Sequence, residues 1–272
     1  MKLSIITINL NDKVGLQKTI DSVLNQTYTD YEFIVIDGMS DDGSVDIIKA
    51  NETKISYWIS EKDKGIYNAM NKGIRQAKGE YCHFLNAGDT YTSENVLQQI
   101  FEGNPNESFI CGNFLTKKGD IVREEQPYKN RDWAFSLYDI YSGDLCHQAF
   151  FIKKDNFTKY ELYNEKLRIT SDWRLFFIAI GIHHESVLYR DVDVVVYDLE
   201  GLSSQIGGKI IHEERKLTAE EVLPIETAKK LERLYYLEQN SYVTDIILSN
   251  RFFSICFRGF CKIGRILGLL KS

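Results

Sequence analysis

Through the first hundred residues, short continuous apolar runs alternate with stretches whose apolar positions recur every three or four residues. That alternation is the signature of strand–helix–strand units around a parallel sheet. The runs are Leu3-Ser4-Ile5-Ile6-Thr7-Ile8, Phe33-Ile34-Val35-Ile36, Ile55-Ser56-Tyr57-Trp58-Ile59 and Tyr81-Cys82-His83-Phe84-Leu85. Between them, Asn11-Asp12 caps a helix with Leu16, Ile20, Val23 and Leu24 on one face. A second helix spans residues 44–50. A third places Ile66, Ala69, Met70, Gly73, Ile74 and Ala77 on one side and ends at Gly79, and a fourth begins near Ser93 with Val96, Leu97, Ile100 and Phe101. Beyond Ser108 the pattern is mixed: strands are expected over 108–114, 148–152 and 191–197, and a short buried helix over 171–179. Residues after about Lys209 are helical and heavily charged, with Pro224 as a break. The expectation is an α/β domain over 1–208 and a helical extension over 209–272.

The polar residues sharpen this picture, because they gather where the apolar runs stop. The second run leads into Asp37-Gly38-Met39-Ser40-Asp41-Asp42-Gly43, the third into Glu61-Lys62-Asp63-Lys64-Gly65, and the fourth into Asn86-Ala87-Gly88-Asp89. In an open parallel sheet the carboxyl ends of the strands share one crevice, where ligands bind. Three acidic, glycine-bearing loops in one crevice point to a cation and a polar, phosphorylated ligand, and so to an enzyme. Composition agrees. At 272 residues, with 43% hydrophobic and 12% aromatic residues, the chain builds a sizeable core, and a net charge of −6 argues against a nucleic-acid partner. Five cysteines without a Cys-x-x-Cys pair fit a reducing compartment. The first strand starts within two residues of the N-terminus, which leaves no room for a signal peptide, and no run of about 18 apolar residues exists to span a bilayer. The expected location is the cytoplasm.

Each candidate has a functional and a structural reading. Asp37 can accept from a base or ribose, or it can belong to an ordinary strand-to-helix turn. Asp89 is a candidate Mg²⁺ ligand, with Asn86 polar beside it, since Mg²⁺ takes one or two carboxylates plus substrate phosphates; the alternative is again a turn. Asp172, next to Trp173, is either a general base or a first-turn helix residue facing free amides. The five histidines lack metal spacing, although His147-Gln148 precedes a strand and can line a sugar site. There is no Gly-x-x-x-x-Gly-Lys-[Ser/Thr] and no Gly-x-Gly-x-x-Gly.

Taken together and in this order, these loops resemble the family 2 glycosyltransferases with the nucleotide-sugar-binding GT-A fold, over about residues 2–205. The opening Ser4-Ile5-Ile6-Thr7-Ile8-Asn9-Leu10-Asn11 is similar to the family's first strand, and Asp37-Gly38-Met39-Ser40-Asp41-Asp42-Gly43-Ser44 to its first acidic turn. Glu61-Lys62-Asp63-Lys64-Gly65-Ile66-Tyr67-Asn68-Ala69-Met70-Asn71-Lys72-Gly73 resembles a subgroup building bacterial surface polysaccharides of the colanic-acid type. Asn86-Ala87-Gly88-Asp89 occupies the Asp-x-Asp position, and Ser171-Asp172-Trp173 resembles the segment that supplies the base. Gly38 stands where the family has an aspartate, and Asn86 and Gly88 where acids are common. The resemblance implies an inverting transfer from a nucleotide-sugar, UDP-linked in preference to GDP-linked, to a glycan or lipid-linked hydroxyl. It assigns the base to Asp172 and the divalent cation, Mg²⁺ or Mn²⁺, to Asp89. It puts Thr7, Asn11, Asp37, Ser40, Asp63, Lys64, Asn71 and Asn86 on the nucleotide side, and His147, Gln148 and Trp173 on the acceptor side. The alternative is a catalytically silent nucleotide-sugar-binding or scaffold protein. A nucleotidyltransferase fits poorly, since Thr7-Ile8-Asn9-Leu10-Asn11 has no glycine. Self-association is left open by the sequence.

The segment 251–272 stands apart. It carries +5 with no acidic residue, leaving −11 for the rest of the chain. At about 100° per residue, Arg251, Arg258, Lys262 and Arg265 fall within roughly 60° of one another, opposite Phe252, Phe253, Phe257 and Phe260. A basic stripe facing an aromatic one suits a helix lying on an anionic membrane, which a lipid-linked acceptor would make useful; packing against protein is the competing reading. Deleting 251–272 is expected to release the protein from anionic liposomes, and undiminished binding would refute the membrane reading.

Overall fold

The computed structural model describes residues 1–126, 135–143, 145–199 and 208–239. It divides into two compact units, Met1–Thr218 and Ala219–Ser272. The division falls ten residues beyond the boundary expected from composition. The basic segment 251–272 lies outside the described residues.

The first unit is built on β1 (Leu3–Asn9), which pairs in parallel with β2 (Tyr31–Asp37) on one side and with β4 (Tyr81–Phe84) on the other. β3 (Tyr57–Ser60) extends the parallel set beyond β2. Leu3, Ile5, Ile6, Ile34, Val35 and Ile36 are fully buried, as expected of strands covered on both faces. The covering helices are α1 (Lys13–Leu24), α2 (Ser44–Ala50) and α3 (Ile66–Gln76), joined further on by α4 (Val96–Ile100). Asp12 caps α1 by accepting from the Gly15 amide at 2.8 Å, and Leu16, Ile20 and Val23 face the core. Gly73 lets α3 lie directly on β1, since a Cβ there would come within 2.4 Å of Ile6 Cγ2.

The rest of the sheet is mixed. Its order is β3-β2-β1-β4-β8-β6-β9-β5, with β7 (Ile121–Glu125) hairpinned to β6 (Phe109–Lys118). β8 (Phe150–Lys153) runs antiparallel between β4 and β6, and β9 (Val187–Asp198) runs parallel to β6. A two-residue strand, β5 (Thr90–Tyr91), pairs antiparallel with the end of β9. The short helices α5 (Leu137–Ser142) and α6 (Asn156–Lys159) precede α7 (Ser171–Phe176), which runs on as a π-turn over Phe177–Ile182. α8 (Gly208–Val222) begins in the first unit; α9 (Ile225–Gln239) lies in the second, after the break at Pro224.

The sequence pattern anticipates most of these elements. It does not anticipate β5, β7, α5 or α6, which are too short or too polar to show periodicity. Gln148 and Ala149, expected within a strand, instead belong with His147 to a 3₁₀ turn ahead of β8.

His83 locks β4 to this turn. Its Nε2–H donates to the Gln148 carbonyl at 2.8 Å, so Nδ1 accepts from the Tyr91 hydroxyl at 2.9 Å, and its ring stacks on Phe151. Burial holds the imidazole neutral, with its pKa pushed down to about 3. The folded state therefore binds its proton later than the unfolded chain does. The stability contributed by His83 is complete above about pH 6.5 and is lost as pH falls towards 3. His83→Phe is expected to cost about 1–3 kcal/mol at pH 7 by stranding two partners, and to flatten the acid dependence between pH 6.5 and 3 in paired melts. An unchanged acid slope would contradict this role.

Candidate functional site

The register of the parallel strands brings their last residues into one row: Asn9 lies opposite Asp37, and Asp37 opposite Ser60. Asp37 is fully buried and accepts four hydrogen bonds. Asn9 Nδ2 (2.7 Å) and Ser40 Oγ (2.6 Å) donate to Oδ1, while the Ser40 amide (3.0 Å) and Ser60 Oγ (2.6 Å) donate to Oδ2. Burial pushes its pKa up, but these donors outweigh that effect and hold the carboxyl below its ordinary range. Two carboxylate oxygens offer about four acceptor positions, so Asp37 is saturated within the protein. In this structure Asp37 braces the edge of the sheet.

Ser40 Oγ also accepts from the Asn11 amide at 2.8 Å, and Asn11 Oδ1 accepts from the Asp41 amide, which fastens the β1 and β2 loops to each other. Thr7 is fully buried and donates its hydroxyl to the Leu85 carbonyl at 2.6 Å, tying the end of β1 to the residue after β4.

Beyond this row opens a cavity of about 750 Å³, within the range of small-molecule sites of about 300–1,000 Å³. One end is lined by Leu10, Gly38, Lys62 and Asp63, the other by Asn86, Gly88, Asp89, Gln148 and Asp198. Gly38 lets Asp63 and Leu10 pack closely at the first end, since a Cβ there would sit 3.2 Å from both Asp63 Oδ2 and Leu10 Cδ1. Asp63 Oδ1 pairs with Lys72 Nζ at 2.6 Å, and Lys72 also reaches Glu61 at 2.7 Å. Burial raises the Asp63 pKa and Lys72 opposes it. Lys64 is exposed and does not line the cavity; its neighbour Lys62 does.

At the other end, Asp89 is 4% exposed. Its Oδ2 accepts from Gln148 Nε2 at 3.3 Å and its Oδ1 from the Asp198 amide at 3.2 Å. The two-residue strand β5 makes this meeting: Thr90 pairs with Val196, so the loop before it faces the end of β9. Burial pushes the Asp89 carboxyl up to about 7; the Gln148 and Asp198 donors offset part of the rise, and the charge of Asp198 adds to it.

A divalent cation fits here. The Asp89 carboxyl is buried beside a second acidic residue whose charge raises its pKa, and the Oδ1 atoms of Asn86 and Asn9, both cavity-lining residues, are buried without a hydrogen-bond partner among the described residues. Asp89, with Asp198 and Asn86, would hold it. Among the described residues no three His, Cys, Asp or Glu side chains gather as a ligand set, so the remaining ligands would be phosphate oxygens and water, as is usual for Mg²⁺.

Asp172 lies in the first turn of α7, where its Oδ1 accepts from the Tyr67 hydroxyl at 2.7 Å. No donor among the described residues reaches Oδ2. Burial and the Asp172 charge push the Tyr67 pKa well above its ordinary value, so Tyr67 stays a donor. Asp89 and Asp172 both raise the pKa of the half-buried Cys146 thiol, after desolvation itself, which sets Cys146 within the field of both carboxylates.

Three further candidate residues have polar atoms bonded within the protein. His147 is 4% exposed, bonded to the Tyr163 hydroxyl at 2.7 Å and stacked on Phe84, so it belongs to the aromatic core behind Asp172. Trp173 is buried, donates to the Ile140 carbonyl at 2.7 Å and stacks on Phe177. Asn71 is 1% exposed and binds the Tyr163 backbone through both amide atoms at 2.8 and 3.0 Å, bracing the segment ahead of Asp172 rather than facing a ligand. Gln148, expected on the acceptor side, holds Asp89. Asn9 and Asp198 had no distinctive sequence signal: Asn9 sits inside a strand, and Asp198 reaches the site only through β5.

A crevice at the carboxyl edge of a parallel sheet, with a buried carboxyl at one end, is where α/β proteins of this class bind their ligands. Residues 4–173 match the model of glycosyl transferase family 2, and the chain belongs to that family. It is 33% identical over 208 residues to an uncharacterized glycosyltransferase of Mycobacterium tuberculosis, covering 74% of this chain and 77% of the relative. It is 29% identical over 215 residues to a PGL/p-HBAD biosynthesis glycosyltransferase of Mycobacterium bovis, covering 76% and 80%. Among solved structures it resembles S. aureus TarS 1–349 in complex with UDP-GlcNAc, with a TM-score of 0.69 and 17% identity over 91% of this chain and 76% of that one. It also resembles the mannosyltransferase PcManGT from Pyrobaculum calidifontis in complex with GDP-Man and Mn²⁺, with a TM-score of 0.57 and 12% identity over 97% and 80%. The protein is thus a glycosyltransferase with the GT-A type of fold.

Proposed function

We propose that this glycosyltransferase moves a sugar, with inversion, from a UDP-sugar to a hydroxyl of a glycan or lipid-linked acceptor in bacterial surface polysaccharide assembly of the colanic-acid type. The reaction takes place at the cytoplasmic face of the membrane, with residues 251–272 as the docking segment. The observation that carries this reading is the cavity of about 750 Å³ that runs from Asp63 to Asp89. The UDP-GlcNAc and GDP-Man/Mn²⁺ complexes of the structural neighbours support a nucleotide-sugar occupant, and the name of the M. bovis relative supports a glycolipid-type acceptor.

In this reading the nucleoside lies against Leu10 and Gly38, with Asp63 Oδ2 as its acceptor, and the diphosphate lies towards Asp89. Mg²⁺ or Mn²⁺, when bound, supplies positive charge where the leaving diphosphate gains negative charge. Asp172 Oδ2 takes the proton of the acceptor hydroxyl. A carboxylate is a far weaker base than an alkoxide, so the proton moves as the oxygen attacks the anomeric carbon, not before. Tyr67 occupies the other carboxylate oxygen and so leaves Oδ2 to the acceptor. A silent nucleotide-sugar-binding protein is the second reading, favoured by the absence of a three-residue acidic ligand set among the described residues.

Thermal-shift melts with UDP-, GDP-, dTDP- and CDP-sugars, with and without Mn²⁺, test the proposal, because a ligand binding only the folded state raises its stability. One nucleotide, UDP by this account, should give a Mn²⁺-dependent shift that is lost in Asp89→Ala. The shift should grow as pH rises through about 7, where Asp89 sheds its proton. Asp172→Asn should keep the shift and lose transfer by a factor of about 10²–10⁴. No shift with any nucleotide would overturn the donor site, and transfer surviving in Asp172→Asn would overturn the assignment of the base.

A further inference from the structure

The segment that leads into Asp172 is held from two sides. From α3, Asn71 binds the Tyr163 backbone, Asn71 and Asn68 reach Glu165 at 3.0 and 2.9 Å, and Tyr67 bonds Asp172 itself. From α8, more than forty residues away in sequence, comes Glu214. Its buried carboxylate accepts from three consecutive backbone amides, Arg168 at 2.7 Å to Oε1, and Ile169 and Thr170 at 3.2 Å each to Oε2. The Thr170 hydroxyl adds a fourth bond at 2.9 Å. Next to Glu214, the Arg215 guanidinium lies 5.1 Å from the centre of the Trp173 ring.

Thr170 is the N-cap residue of α7, yet its side chain caps nothing there, because its hydroxyl is given to Glu214. A helix start normally fixes its own first turn through such a cap. Here the orientation of the first turn, and with it the direction of Asp172, depends on a carboxylate supplied by another helix. Three amides converging on one anion also fix the backbone of residues 168–170 more tightly than a single bond would.

We propose that Glu214 is a positioning residue for Asp172: by gathering the amides of Arg168, Ile169 and Thr170 it sets the first turn of α7 so that Asp172 Oδ2 meets the acceptor hydroxyl. This rests on the reading of Asp172 as the base. It makes α8 part of the catalytic apparatus, although the helix follows the family-matched residues and supplies nothing to the donor cavity. A misplacement of about 1 Å can cost on the order of a hundredfold in rate, so a carboxylate one residue shell away from the chemistry can control turnover without affecting donor binding.

The test is Glu214→Gln, which keeps the length of the side chain but leaves one acceptor oxygen and turns an amide NH₂ towards the backbone amides. Hydrogen exchange at residues 168–174 should accelerate by about tenfold or more, while residues 81–89 keep their protection. Unchanged exchange at 168–174 would overturn the proposal without recourse to activity. Function is read as nucleoside diphosphate release from UDP-glucose, UDP-GlcNAc and GDP-mannose, with water in the acceptor's place, in a cycle of wild type, Glu214→Gln, Asp172→Asn and the double variant. The single Glu214 variant should lose about tenfold to a hundredfold in kcat with KM for the donor unchanged. The double variant should lose no more than Asp172→Asn alone. Additive losses, or a rise in KM in place of a fall in kcat, would show that Glu214 acts on the fold and not through Asp172. Full release by Asp172→Asn would instead show that the base assignment is the part that fails. Should Glu214→Gln not melt cooperatively, Thr170→Val removes one of the four donors and enters the same cycle with a smaller expected loss.

Discussion

The saturated carboxylate of Asp37 organises the ligand-facing edge of the sheet. Three parallel strands end in the same row, and their terminal residues Asn9, Asp37 and Ser60 are joined through this one side chain, with Ser40 closing the turn behind it. A buried carboxylate is costly unless its acceptor positions are filled, and here four donors fill them. Once the row is fixed, Asp63 comes close alongside Gly38 and the two line one end of the cavity. The Asp89 end is a separate device. Asp89 is aimed by a two-residue strand, an amide from Asp198 and the side chain of Gln148.

These two ends are stabilised in opposite ways. Asp37 has its charge compensated inside the protein and its pKa held down. Asp89 is buried with too few donors, so it is pushed up to about 7. A folded protein tolerates such a group where a ligand completes it, and in the proposed reading that ligand is a cation with phosphate oxygens. The same contrast separates structural from functional polar residues throughout the site. Thr7, Asn71, His147 and Trp173 have their polar atoms bonded within the protein, whereas Asn9, Asn86 and Asp172 each keep an acceptor in reserve.

Much of this was legible in the sequence. Continuous apolar runs and 3.6-residue periodicity located the parallel strands and their helices, and the polar turns after those runs, that of Asp89 among them, line the crevice; the base role of Asp172 came from the resemblance of its segment. What could not be read is which polar residues are used up by neighbours, since that depends on register and on distant segments. The donors that saturate Asp37 come from Asn9 and Ser60 on adjacent strands. Asp198 reaches Asp89 through a strand too short to show a pattern, and Glu214 reaches Arg168–Thr170 from a helix that composition assigned to a separate extension. Motif order carried the identity of the loops, and packing decided the work of each side chain within them.

The central claim is that the cavity seats a nucleoside diphosphate with its phosphates at the Asp89 end. The most direct measurement is a crystal structure of the wild-type protein with UDP and Mn²⁺, with the metal located by its anomalous signal. The account predicts one strong peak within bonding distance of an Asp89 carboxylate oxygen and of the diphosphate, with the uridine against Leu10, Gly38 and Asp63. A manganese peak at the Glu61–Asp63 end, or a nucleotide bound outside the cavity, would contradict it.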